Sequence, residues 1–259
     1  MDLGIAGRKA IVCASSKGLG KGCAMALAHA GCEVVVNGRN EATVKAAAEE
    51  IAKATKAKVI AVAADVATAD GQAKLFAACP QPDILVNNNA GPPFRDFREL
   101  TRQAMLDGVV ANMVVAIELI QKVLDPMAAR GFGRIVNITS SSVKAPIAGL
   151  DLSSGARAGL TAFLAGVART VAAKNVTINN ILPGSFGTDR LRSNFKATAQ
   201  RMGTSEQAAA EARAATIPAR RFGTPDEFGQ ACAFLCSAHA GYITGQNLLI
   251  DGGAFAGAY

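Results

Sequence analysis

Short apolar runs alternate with longer helix-favouring stretches along almost the whole chain. β-branched or apolar runs lie at Arg8 to Cys13 (RKAIVC), Glu33 to Asn37 (EVVVN), Lys58 to Ala64, Asp83 to Asn87, Gly133 to Thr139, Asn175 to Leu182 and Asn247 to Ile250. Each is the length of a strand and predicts one. Helical patterning fills Lys21 to His29, Glu41 to Ala54, Thr101 to Arg130, Leu152 to Ala173 and Thr224 to Ala238. Strands alternating with helices predict parallel βαβ units in an α/β, doubly wound sheet of about seven strands. No proline-rich linker, charge block or internal repeat divides residues 1–259, so a single domain is expected.

Two stretches go beyond that scheme. Gly155 to Val167 (GARAGLTAFLAGV) is small or apolar around nearly its whole circumference. Such a helix needs cover on both sides, which predicts packing on the sheet and against a second subunit. Residues 186–217, Phe186 to Ile217, are too long for an ordinary connection, and they are polar, basic and helix-prone. They are expected to form a lid over a ligand.

Composition narrows the function classes. The hydrophobic share of 50% and charged share of 18% are those of a globular chain. The six cysteines (13, 23, 32, 79, 232 and 236) contain no CxxC pair, and only two histidines could join them on a metal. No metal site is expected, and the thiols read as reduced core residues of a cytoplasmic protein. Cys232 and Cys236, one helical turn apart, read as packing. His29 reads as packed in its helix, and His239 as lying near a surface turn. The formal charge of +7 is dispersed, with no Trp and only two Tyr, so nucleic-acid binding is not expected. Nor does any apolar run reach the length of a membrane span, and residues 1–7 show no leader pattern, so neither is expected.

The segment from Lys9 to Asn40 names a ligand. Ala14-Ser15-Ser16-Lys17-Gly18-Leu19-Gly20 interrupts the first strand–helix pair. A glycine-rich turn there brings backbone N–H groups and the helix dipole to a pyrophosphate. The second strand ends at Gly38-Arg39-Asn40. A site selective for NAD would offer a carboxylate there to the ribose 2′-hydroxyl; Lys17 and Arg39 would instead bind a 2′-phosphate. NADP(H) is the expected cofactor.

Further motifs carry a resemblance. They are Asp65-Val66, Asn88-Asn89-Ala90-Gly91, Asn112, Ser140, Pro183-Gly184 with Phe186 and Thr188, RFGTP at 221–225, and TGQ at 244–246 running to Asp251-Gly252-Gly253. Over essentially its full length the chain resembles the short-chain dehydrogenase/reductase family. The resemblance implies a Rossmann-type fold, nicotinamide chemistry and a homotetramer. It also implies an adenine contact at Asp65-Val66, a cofactor turn at Asn89-Ala90-Gly91, nicotinamide contacts at Pro183, Gly184, Phe186 and Thr188, and catalytic roles for Asn112 and Ser140. The chain departs from the pattern where the family has Tyr and, four residues on, Lys. Here those positions hold Ser153 and Arg157, and the only tyrosines, Tyr242 and Tyr259, are near the C-terminus. Cys13-Ala14 also replaces the usual Thr-Gly, a change that costs little if φ at Ala14 stays negative.

Arg157 can still hold the nicotinamide ribose, since guanidinium keeps its charge and donors. Ser153 is too weak an acid and too short to stand in for a phenol. Lys144, four residues beyond Ser140, is the candidate replacement: partial desolvation, with Arg157 nearby, would lower its pKa. Asp151 reads as an N-cap rather than a catalyst. The favoured function is NADP(H)-dependent oxidoreduction of a ketone/alcohol or 3-oxoacyl-type small molecule, with an anionic substrate or carrier under the basic lid. The alternatives are a catalytically weak NADP(H)-binding sensor or scaffold, and a non-redox lyase or dehydratase in the same pocket.

Overall fold

The structure is a computed structural model that describes residues 2–258; Tyr259 lies outside them. Seven parallel strands form one sheet: β1 (Lys9–Val12), β2 (Glu33–Gly38), β3 (Val59–Ala63), β4 (Ile84–Asn87), β5 (Gly133–Ile138), β6 (Val176–Pro183) and β7 (Asn247–Ile250). Their spatial order is β3-β2-β1-β4-β5-β6-β7, reversing direction between β1 and β4. In such sheets ligands bind beyond the carboxyl ends of the strands at that switch point. All seven predicted strands are present.

Helices cover both faces: α1 (Gly18–His29), α2 (Glu41–Thr55), α3 (Ala69–Ala78), α4 (Arg102–Val109), α5 (Val115–Arg130), α6 (Asp151–Val171), α7 (Asp189–Met202), α8 (Glu206–Ala215) and α9 (Pro225–Leu235). One apolar cluster joins α1, α2 and α9 to the sheet through residues such as Leu27, Ile51 and Phe228. The other joins α3, α5 and α6 to the opposite face through Leu75, Leu119 and Leu164. α1 and α9 cross so closely that a Cβ on Gly22 would sit 2.1 Å from the Pro225 carbonyl oxygen. All six cysteines are buried free thiols.

Several expectations need correction. α1 begins three residues earlier than the alanine-rich pattern indicated, because its first turn is built from glycine and leucine against the sheet. α3 was not anticipated; Thr68 caps it, but it buries only Gly71, Gln72 and Leu75. The single long helix expected at 101–130 is broken by a π turn at Val110–Val114. The whole rod Arg102–Arg130 has 29 residues and a mean hydropathy of 1.6 in its most apolar window, long and apolar enough to cross a membrane by that measure alone. Here Val115, Leu119, Ile120, Val123 and Met127 are buried within the protein. His29 is exposed in the last turn of α1 rather than packed. His239 accords with the surface reading: it is exposed, with Nε2 2.8 Å from the Asp2 carbonyl.

A row of asparagines crosses the sheet interior. Asn87 Nδ2 donates to Asn137 Oδ1 at 2.9 Å, Asn137 Nδ2 to Asn180 Oδ1 at 3.1 Å, and Asn180 Nδ2 to Asn247 Oδ1 at 2.8 Å. These residues are register partners on β4, β5, β6 and β7.

Candidate active site

The glycine turn is held from three sides. Ser15 is buried, with Oγ donating to the Val12 carbonyl at 2.6 Å and accepting from Asn37 N–H at 2.9 Å. Asn37 Oδ1 accepts from Ala14 N–H at 3.2 Å, and Asn88 Nδ2 donates to the Ala14 carbonyl at 3.2 Å. Thus clamped, Ala14 has φ of +44°. The condition under which alanine would cost little here, a negative φ, is not met: tertiary hydrogen bonds hold an L-residue in the left-handed region. Ser15, Asn37 and Asn88 are positioning residues: the motifs contained Ser15 and Asn88 without giving them this role, and Asn37 stood only as the end of a strand.

Lys17 precedes α1 in extended conformation, with no side-chain cap on the helix and no acid in its first turn. The helix therefore presents its free N–H groups and positive end to the cleft. A Cβ on Gly20 would lie 2.5 Å from the Ala14 carbonyl, so only glycine permits this close approach. Ser16, Lys17 and Gly18 line a cavity of about 510 Å³ with Gly187 and Thr188, just before α7. Thr188 Cγ2 lies 3.5 Å from where a Gly18 Cβ would be.

At the end of β2, a Cβ on Gly38 would meet Ser16 Oγ and Val44 Cγ2 at 2.9 Å. That position has no room for a carboxylate. Arg39 beside it is exposed, and Asn40 caps α2 by accepting from Thr43 N–H at 3.0 Å. Half-buried Asp65 accepts from Ala67 N–H at 2.9 Å, next to buried Val66. These features fit a 2′-phosphorylated dinucleotide: a cradle that a Cβ would fill at Gly38, Lys17 and Arg39 without an ion pair among the described residues, and no acid at positions 38–40. Asp65, Val66 and Arg39 do not line the 510 Å³ cavity, which runs on the outer side of the glycine turn. The ring of Phe186 is buried edge-to-face on Phe228, 5.3 Å between centroids, so its side chain belongs to the core rather than to a ligand. Gly184 passes Asp251 so closely that a Cβ would lie 2.6 Å from Asp251 Cβ.

Beyond β4 and β5 the remaining residues converge. Asn89 Nδ2 donates to the Ala111 carbonyl at 3.1 Å, and its own Oδ1 accepts from Ala90 N–H. Asn112 lies in the π turn, 5% exposed; Nδ2 reaches the Gly108 carbonyl and Oδ1 has no protein partner. Asn87, Asn112, Asn137 and Arg157 line a small internal cavity of about 20 Å³, enough for one water. Ser140 follows β5, its Oγ accepting from Ser142 N–H at 3.1 Å.

Ser153 and Arg157 stand one turn apart on α6, both buried. Arg157 Nε donates to Ser153 Oγ at 3.3 Å, Nη1 to the Ile138 carbonyl at 2.7 Å and Nη2 to the Asn89 carbonyl at 3.5 Å. Burial pushes its pKa down to about 10, and the charge of Arg190 on α7 adds to that. Lys144 differs from expectation: it is exposed at the end of the short turn Ser141–Val143, with Nζ 5.8 Å from the Phe255 ring centroid. The loop runs outward, so the anticipated desolvation is absent. Asp151 is the first residue of α6 rather than its cap, accepting from Gly149 N–H at 3.2 Å. Tyr242 is fully exposed.

Comparison with known proteins agrees with this architecture. Residues 13–254 match a family model described as enoyl-(acyl carrier protein) reductase. The NADPH-dependent reductase BacG of Bacillus subtilis is 32% identical over 252 residues, 95% of this chain and 97% of BacG. The 3-oxoacyl-[acyl-carrier-protein] reductase FabG of Aquifex aeolicus is 31% identical, over 98% of this chain and 100% of its own. Among solved structures, L-sorbose reductase from Gluconobacter frateurii, complexed with NADPH and L-sorbose, superposes with a TM-score of 0.94 at 27% identity, covering 99% of this chain and 100% of that one. With the seven-stranded sheet and the glycine turn between β1 and α1, the chain belongs to the short-chain dehydrogenase/reductase family.

Proposed function

We propose that this protein is an NADP(H)-dependent oxidoreductase that interconverts a ketone, of simple or 3-oxoacyl type, and the corresponding alcohol, with the family's tyrosine function redistributed. The observation that carries the reading is Arg157: one buried side chain ties Ser153, the end of β5 and the Asn89 turn together. That arrangement serves a reacting centre better than a surface for partner binding.

Lys17 and Arg39 would hold the 2′-phosphate, the first-turn N–H groups of α1 the pyrophosphate, and Arg157 the nicotinamide ribose. The bound dinucleotide supplies or accepts a hydride at the carbonyl carbon. The chain's own task is then to manage the oxygen. Ser140, its Oγ already accepting from Ser142 N–H, keeps a proton to donate to a carbonyl oxygen. Ser153 does the same with Arg157 behind it, so a guanidinium polarises its hydroxyl. Neither hydroxyl gives up its proton at neutral pH. Lys144, on a flexible stem in the loop that follows Ser140, is the proposed proton source.

The exposure of Lys144 also favours a second reading, a cofactor-binding protein with little turnover. NADPH oxidation across a panel of carbonyl compounds decides between them. Turnover lost in Lys144→Ala with NADPH binding intact supports the mechanism; full activity in that variant overturns it.

Two further expectations remain part of the proposal. Gly155, Phe163 and Gly166 are exposed on α6, as are Met105 and Val110 on the neighbouring rod, and this apolar face suits a second subunit of a homotetramer. The buried free thiols suit a reducing compartment such as the cytoplasm.

A further inference from the structure

We propose that two apolar loops, residues 92–94 and 145–150, receive the hydrocarbon part of the substrate, so that the enzyme acts on ketones carrying an alkyl chain or aromatic ring, and on the matching alcohols, rather than on sugars. This rests on reading the cleft as a carbonyl-reducing site, and it names the class of carbonyl compound.

Surface loops are ordinarily polar, and these two are not. The loop after β4 contains Pro92-Pro93-Phe94, and the loop after β5 runs APIAGL from Ala145 to Leu150. Across both stretches no side chain carries a hydrogen-bonding group. Pro92, Gly149 and Leu150 are half-buried and the others are exposed. Phe94 is 55% exposed and Ile147 37%. Single apolar residues on a surface call for no explanation, but a contiguous patch marks a place where something apolar binds.

The patch is contiguous because the loops are joined. β4 and β5 are parallel neighbours, so both loops leave the same end of the sheet. Arg95 N–H donates to the Gly149 carbonyl at 2.9 Å. Gly149 has φ of +75°, and Phe94 Cδ1 lies 3.5 Å from where a Cβ on it would be. Glycine thus permits both the turn and the approach of the phenyl ring. Leu150 N–H closes that turn on the Ile147 carbonyl at 2.9 Å. Pro92, Pro93 and Pro146 each fix one φ, which stiffens the loops against collapse.

The position selects the substrate as occupant. Residues 145–150 lie between Ser140 and Ser153, the two hydroxyls read as polarising the carbonyl, and neither stretch includes a residue assigned to the cofactor. A second subunit seated here would obstruct those serines. The apolar face suited to a partner lies elsewhere, with Phe163 about 15 Å along α6 from Ser153. A sugar needs a partner for each hydroxyl it buries, and the side chains of these loops offer none.

The test uses 2-butanone, 2-hexanone, 2-octanone and the polyhydroxy ketone D-fructose. Calorimetry measures their binding to the enzyme saturated with NADP⁺, where no reduction can occur, and turnover with NADPH is measured in parallel. A methylene that leaves water corresponds to about two- to fourfold in affinity. The Kd should fall by that factor for each carbon added, and D-fructose should bind more weakly than 2-hexanone. In the double variant Phe94→Ser/Ile147→Ser the dependence on chain length should disappear, while the NADPH Kd changes less than about twofold, both positions being exposed. A Kd blind to chain length in the wild type, no ketone binding, or D-fructose bound as tightly as 2-octanone overturns the proposal. A double variant that keeps the dependence overturns it too, and loss of oligomer mass on sizing would then show that a second subunit covers the patch. Binding that follows chain length without reduction of any ketone would leave the apolar wall standing and remove the reductase reading. Reduction with a KM blind to chain length would do the reverse.

Discussion

Replacing Ala14 with glycine should stabilise the protein. At φ of +44° the Ala14 Cβ crowds its own backbone, and an L-residue held in the left-handed region costs about 1–2 kcal/mol. The bonds that enforce this conformation, to Asn37 Oδ1 and from Asn88 Nδ2, use only the backbone of residue 14 and survive the substitution. Opposing the gain, glycine has more freedom in the unfolded chain, worth about 0.4–1 kcal/mol. The net gain is centred near about 0.8 kcal/mol and does not exceed about 1.6 kcal/mol. For a chain of this size the central value corresponds to about 2–3 °C in Tm. Thermal and urea unfolding of both proteins, at one fixed concentration and without cofactor, measures it; an unchanged m-value shows that the surface exposed on unfolding is the same in both. An unchanged or lower stability would refute the reasoning, because Ala14 would then not be strained by its clamp. The NADPH Kd should stay within about twofold, the turn keeping its shape.

Arg39→Ala should weaken NADPH by about 1.5–3 kcal/mol, the contribution of a charge-assisted bond, and leave NADH unchanged; titration of both cofactors measures the difference. Lys144→Ala should lower kcat by about 10²–10⁴ while the NADPH Kd holds, and Ser153→Ala should reduce kcat by a smaller factor. Gly22→Ala should lower stability by more than about 2 kcal/mol in urea unfolding, since its Cβ would enter the Pro225 carbonyl. Gly166→Ala meets nothing within 4 Å in the single chain, so it should add up to about 1 kcal/mol of helix propensity, and loss of oligomer mass on sizing would show that a second copy covers that face. Glu227 is held down to about 2 by Arg221 and by the Thr224 N–H it accepts from. Its folded pKa lies below the ordinary value, so its support of the α9 cap is complete above about pH 4.5 and is lost as pH falls towards 2; a Glu227→Gln variant should show a flatter acid limb in a pH series of Tm.

What was legible in the sequence was what period and punctuation encode. Runs of β-branched residues bounded by glycine, asparagine or aspartate placed every strand, and the absence of an acid after β2 gave the cofactor. Features set by contacts distant in sequence were not legible. Ala14 is an unremarkable residue locally; its φ is imposed by Asn37 and Asn88, 23 and 74 positions away. VVANMVV reads as uninterrupted helix, yet Gly108 must pass Leu152 within 2.5 Å of a would-be Cβ, and the rod admits a π turn that carries Asn112. The ADGQAKLFAA segment has too few apolar positions to announce α3, which depends on Thr68 and the sheet. Burial decided the catalytic candidates, and burial is tertiary: Lys144 and Ser153 are 9 residues apart, one on an outward loop and the other under a guanidinium. Arg190 stood in the sequence as one of several lid cations; only its approach to Arg157 distinguishes it.

The asparagine row has a consequence for how the sheet finds its alignment. Parallel strands made of aliphatic residues can slide past one another, because each apolar side chain fits its neighbour's slot nearly as well as its own. A slip of one residue between β4 and β5, or between β5 and β6, would turn an amide away from its partner and strand a donor and an acceptor in apolar surroundings, at about 1–3 kcal/mol for each group. Asn87, Asn137 and Asn180 are 4%, 1% and 2% exposed, so water would not repair the loss. The row acts as a key that fits in one alignment only, and the β4 and β5 ends it fixes carry the Asn89 turn and Ser140.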